Sequence, residues 1–88
     1  MKFAITWANA AFDEMQRLIL ANPERVEEIR DALRELSETL AADPLGHGES
    51  READRRVGLF GPLVIVYRVI ATADRVVVTA VRLRNMTK

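Results

Sequence analysis

The sequence predicts an α+β fold of order β-α-α-β-β-β, with a helical hairpin packed on one face of a small, mainly antiparallel four-stranded sheet. Three observations carry that prediction. Residues 2–7 alternate with a period of two. Residues 9–42 change to helical spacing in two segments divided by Asn22-Pro23. Residues 56–83 return to β-branched runs punctuated by Gly61-Pro62 and Thr72-Ala73-Asp74. At 88 residues, 49% of them hydrophobic, the chain is expected to form one domain spanning 1–88 with a single two-layer core.

In the opening strand Phe3, Ile5 and Trp7 share one side, with Ala4 and Thr6 on the other. Asn9 is a candidate N-cap for the first helix, whose inward stripe is read as Phe12, Met15, Leu18, Ile19 and Asn22. Asn22-Pro23-Glu24 predicts the start of the second helix: a capping asparagine, a proline whose missing N–H costs nothing at the first helical position, and an acid in the first turn. That helix is expected to run to about Ala42 on Val26, Ile29, Leu33, Leu36 and Leu40, and to stop at Pro44. Residues 45–55 read as polar and irregular. Strands are expected at 56–60, 63–70 and 75–83, and their short connections make them an antiparallel meander. In the last strand Val77, Thr79, Val81 and Leu83 are assigned to the helix-packed face. Val76, Val78, Ala80, Arg82 and Arg84 are assigned to the open one.

The composition excludes several chemistries. With no cysteine there is no disulfide and no Cys-based zinc site, and a single histidine makes no usual metal centre. No cofactor and no metal are expected. No segment has the length of a membrane span, so the chain is expected to be cytoplasmic. The net charge of zero conceals an asymmetry: residues 1–44 hold five Lys/Arg against nine Asp/Glu, and residues 45–88 hold eight against four. Seven of those eight are arginine, whose planar fork suits phosphate or carboxylate.

Strand parity brings Arg82 and Arg84 out together on the open face, and Arg68 joins them if it shares that face. Arg51, Arg55 and Arg56 enter from the preceding loop and strand. Such a cluster suits a polyanion; the alternative is that it keeps an exposed face soluble by pairing with acids of the second helix. His47 and Tyr67 are the candidate acid/base groups. Val64, Val66, Ile70, Val76, Val78 and Ala80 would form an outward apolar patch, of the kind that marks an interface with a partner or a second copy of the chain.

The element order resembles the RelE/ParE superfamily of type II toxin–antitoxin toxins, and local motifs match in sequence. Phe3-Ala4-Ile5-Thr6-Trp7 is similar to the family's opening strand, and Arg55-Arg56-Val57-Gly58 to its "R-x-V-G". Residues 63–69 resemble its "R-V-I-Y-E-V", and Asp74-Arg75-Val76-Val77-Val78 with Val81-Arg82 resembles its last strand. The resemblance implies a toxin neutralised by a cognate antitoxin. Two toxic activities then stand: ribosome-dependent mRNA cleavage, as in RelE-like members, or inhibition of DNA gyrase, as in ParE-like ones. For the first, Arg56, Arg82 and Arg84 would carry catalysis and Arg51, Arg55 and Arg68 would hold RNA on the ribosome. The catalytic set is incomplete, since Val64 occupies the central-strand position where RNA-cleaving members often have arginine, and their lysine pair is absent. A non-catalytic interaction module that kept the fold is the further alternative.

Overall fold

The computed structural model describes residues 2–46, 48–50 and 55–84. Strand β1 (Ala4–Trp7) leads into helix α1 (Asn9–Ala21), and a 3-10 turn at Pro23–Arg25 leads into helix α2 (Val26–Ala42). After a second 3-10 turn at Pro44–Gly46 come β2 (Glu49–Ser50), β3 (Arg55–Phe60), β4 (Leu63–Ile70) and β5 (Arg75–Leu83). The sheet order is β1-β5-β4-β3-β2, with β1 parallel to β5 and every other pair antiparallel.

The α+β class agrees with the sequence, but the sheet has five strands rather than four. The extra one, β2, pairs Glu49 with Val57 and Ser50 with Arg56. Two polar residues carry no readable alternation, so only the pairing reveals them. The helix starts also differ. Ala8, not Asn9, occupies the N-cap of α1, and no side chain caps it. Asn22 turns back instead of capping forward, donating from Nδ2 to the Leu18 carbonyl at 2.9 Å. That bond satisfies a carbonyl in the last turn of α1, and α2 begins only at Val26.

The core lies between the helices and one face of the sheet. Ile29, Ala32, Leu36 and Leu40 of α2 and Ala11 of α1 meet Phe60, Leu63, Ile65, Tyr67, Val76, Val78 and Val81. The α2 stripe is therefore as the spacing predicts, with Ala32 beside the expected set. A small residue is needed there because the β3–β4 turn tucks against it. Gly61, at φ +55, would place a Cβ 3.3 Å from that of Ala32. In α1 the buried residue is Ala11, with Met15, Leu18 and Ile19 packed on the core edge, and Phe12 turns outward at 44% exposure.

The parity of β5 is where the sequence reading fails. Val66 faces Ala80 while Tyr67 faces Val78, so Thr79 is an inserted residue, a β-bulge. Its hydroxyl donates to the Val66 carbonyl at 3.2 Å. Inward residues change set across the bulge: Val76 and Val78 before it, Val81 after it. Val76 and Val78 are thus core residues and not members of an outward patch, whereas Val77 lies on the open side.

Candidate binding face

The face of the sheet away from the helices is laid out by strand pairing in rows. One row runs Arg82–Val64–Leu59, the next Ala80–Val66–Val57, and the third Val77–Arg68–Arg55. Beyond the third row, Ile70 faces Arg75, whose Nη1 donates to Thr6 Oγ1 at 2.8 Å. The centre is apolar: Leu59 is 54% exposed, and Val57, Val64, Val66, Val77 and Ala80 are half-buried. The arginines stand around it, with Arg55, Arg68, Arg75 and Arg82 all exposed. Glu49, opposite Val57, is the one carboxylate that the described strand residues carry.

The arginines of the site separate into three places. Arg55 and Arg68 stand directly opposite one another on adjacent strands. Arg82 shares their face but lies four residues along β4 from them, about 13 Å at strand rise. Arg84 follows β5; its backbone N–H bonds the Pro62 carbonyl and its Nη2 donates to Gly61 O at 3.3 Å, so it ties the end of the strand to the β3–β4 turn. Convergence of Arg68, Arg82 and Arg84 on one point is therefore not what the register produces.

Arg56 belongs to the other face. It pairs with Tyr67, which is fully buried, and its Nη2 donates to Gly48 O at 3.3 Å. The Tyr67 hydroxyl donates to Pro44 O at 3.0 Å. Burial raises the phenol above its ordinary pKa near 10, and the hydrogen bond with Arg56 opposes that shift. Gly48 completes this cluster. At φ +73 its missing Cβ would stand 2.7 Å from Val57 O and 2.9 Å from the Tyr67 hydroxyl. These bonds tie Pro44 and Gly48 to the helix side of the sheet. His47 and Arg51 lie outside the described residues.

At the far side of β5, β1 ends opposite Val78, and among the described residues no strand flanks residues 79–83 there. A groove of about 500 Å³ follows that edge, lined by Ala10, Ala11 and Glu14 of α1 and by Thr79, Ala80, Val81 and Arg82. Among the described residues no group of three His, Cys, Asp or Glu side chains is arranged to hold a metal, and no helix is long and apolar enough to cross a membrane.

Two features escaped the sequence reading. The Arg55–Arg68 pair was within reach, because a two-residue turn at Gly61-Pro62 sets Phe60 against Leu63 and counting outward reaches it. The groove had no signal, since it depends on where β1 stops alongside β5.

The arrangement has counterparts among known proteins. The sequence profile described as the ParE toxin of type II toxin–antitoxin systems, parDE, matches residues 5–87. No curated protein sequence matches the chain. Among solved structures, the RelBE2 toxin–antitoxin complex of Mycobacterium tuberculosis superposes with a TM-score of 0.75 at 22% identity, covering 96% of this chain and 100% of that one. The chromosomal ParDE system of P. aeruginosa gives 0.71 at 14% identity, over 96% and 98%. The isolated E. coli RelE toxin gives 0.65 at 17%, over 98% and 88%. These likenesses carry the fold, and the profile match over nearly the whole length carries the family: this chain belongs to the ParE toxins of type II toxin–antitoxin systems.

Proposed function

We propose that this toxin acts by binding its target and not by cutting RNA, that the target is DNA gyrase, and that an antitoxin protein silences it. The observation supporting a non-cleaving toxin is the separation of the candidate groups. RNA cleavage needs phosphate stabilisers and proton-transfer groups around one scissile bond. Here Arg56 and Tyr67 are engaged on the helix side, Arg84 at a turn, and Arg82 stands beside Val64 on the opposite face. Gyrase is the target that the ParE resemblance implies. The toxin–antitoxin complexes among the structural neighbours favour an antitoxin as partner.

The test is purified chain in a gyrase supercoiling assay, run beside induction in a bacterial host with pulse-labelled protein synthesis and mapping of mRNA ends. Supercoiling inhibition and DNA damage, with translation falling only later, is the expected result. An immediate fall in translation with new mRNA ends would instead assign a ribosome-directed nuclease. That outcome would return Arg82, with Arg51, Arg55 and Arg68, to the RNA. Unimpaired growth with folded protein would assign an interaction module.

A further inference from the structure

We propose that the free edge of β5 pairs with the same edge of a second copy of this chain, antiparallel and centred on Val81, so that two sheets join into one. The backbone carries the first argument. The Val78 carbonyl accepts from Ala8 N–H on the β1 side, whereas Arg84 N–H bonds the Pro62 carbonyl on the β4 side. In a regular strand residues 78 and 84 would turn their backbone groups the same way; the inserted Thr79 reverses them. Beyond the bulge Arg82 therefore serves β4, and Val81 and Leu83 turn their N–H and C=O groups to the edge. β1 reaches only to Val78, and among the described residues no hydrogen bond crosses that edge to reach them. A strand edge left in this state is a template for a further strand.

The groove along this edge fits a second copy in shape and in charge. It holds about 500 Å³ between α1 and residues 79–82, and its α1 wall starts with two small residues, Ala10 and Ala11. A two-fold axis at Val81 sets that residue against its own counterpart and Ala80 against the copy's Arg82. A small side chain thus meets the long one on both sides of the axis. The same axis brings each Arg82 to the other copy's groove, whose wall holds Glu14. Within one chain Glu14 bonds Arg17 through Oε1 at 2.9 Å, and a carboxylate has room for a second guanidinium on its other oxygen. Each copy therefore supplies one acid and one arginine, and the surface is complementary to itself, as a two-fold interface requires. A strand of unrelated sequence would gain the backbone bonds without the two ion pairs. Five strand residues and one helix start make a small interface, so the dimer comes apart on dilution. In the joined sheet the two open faces look the same way and form one surface of double width.

The test is sedimentation velocity of the full chain at concentrations up to about 1 mM, paired with amide hydrogen exchange at each concentration. The expected result is a monomer–dimer equilibrium in which the Val81 and Leu83 amides slow at least about tenfold as the dimer fills. The Arg82 amide, which faces β4 in either state, should not change. Arg82→Glu should weaken the dimer at least about tenfold, because it sets two acids together at both ends of the interface. Glu14→Arg with Arg82→Glu should restore it, a gain that an unfolded variant cannot give. A chain that stays monomeric throughout would overturn the proposal, as would a dimer that protects α2 while the edge amides stay fast. Equal dimerisation of the wild-type chain and Arg82→Glu would overturn it too. Edge amides that slow only when a different protein is added would give the edge to that partner instead. The result does not depend on the toxin's target: a dimer joined here stands whether or not gyrase is inhibited.

Discussion

The two faces of one sheet are built from the same kind of residue and do opposite things. On the helix side, Leu63, Ile65, Val76 and Val78 have no exposure, and Tyr67 buries its ring while its hydroxyl bonds Pro44 O. On the other side, Val57, Val64 and Val66 are half-covered by their neighbours, Leu59 is 54% exposed, and arginines stand where the inner face has aromatic rings. β-propensity is equal on both sides; what differs is the cover. The apolar surface under α1 and α2 contributes to folding, whereas that on the open face is left uncovered by the two helices.

Substitutions can break this contrast in graded steps. Leu36→Ala, under the centre of α2, should cost about 2–5 kcal/mol in urea denaturation, because it opens a cavity in a side with no exposure. A loss below about 1 kcal/mol would mean that the helix is not the cover described. Gly48→Ala should cost about 1–3 kcal/mol through its left-handed backbone and the approach to Val57 O. Tyr67→Phe should cost about 1–2 kcal/mol, since it leaves the Pro44 carbonyl without its donor.

The tyrosine also has a pH signature. Its folded pKa is raised by burial, so the stability it contributes is fully present below the unfolded value near 10 and is lost as pH rises through the folded one. Alkaline titration of the wild-type chain should therefore show a decline above pH 10 that Tyr67→Phe diminishes. An unchanged decline would place the titrating group elsewhere.

The open face should respond weakly in stability. Val66→Glu should change unfolding by no more than about 1 kcal/mol, since Val66 is only half-buried. Val78→Glu, on the inner face, should prevent folding by burying an unpaired charge.

Much of the fold was legible. The 3.6-residue stripe of α2 read directly onto Ile29, Leu36 and Leu40, and the turns at Gly61-Pro62 and Thr72-Ala73-Asp74 delimited β4 and β5. The site was legible only in part. The open-face placement of Arg55, Arg68 and Arg82 and of Val64 and Val66 follows from alternation. Arg56 is grouped with Arg82 only by the family resemblance, whereas strand alternation turns it away from Arg55 and the open face. Strict alternation assigns Val76 and Val78 to the open face because it carries no sign of the bulge at Thr79.

Local pattern and turn chemistry thus determined which segments are helices and strands, their order, and that a basic, arginine-rich half follows an acidic one. These are properties of periods and of single residues, and they need no distant partner. Tertiary structure alone decided the bulge at Thr79, the fifth strand at Glu49–Ser50, the parallel docking of β1 beside β5 and the separation of Arg56 from Arg82. Each depends on register between segments far apart in the chain. A shift of one residue there carries every later side chain to the other face, and no short-range pattern records it.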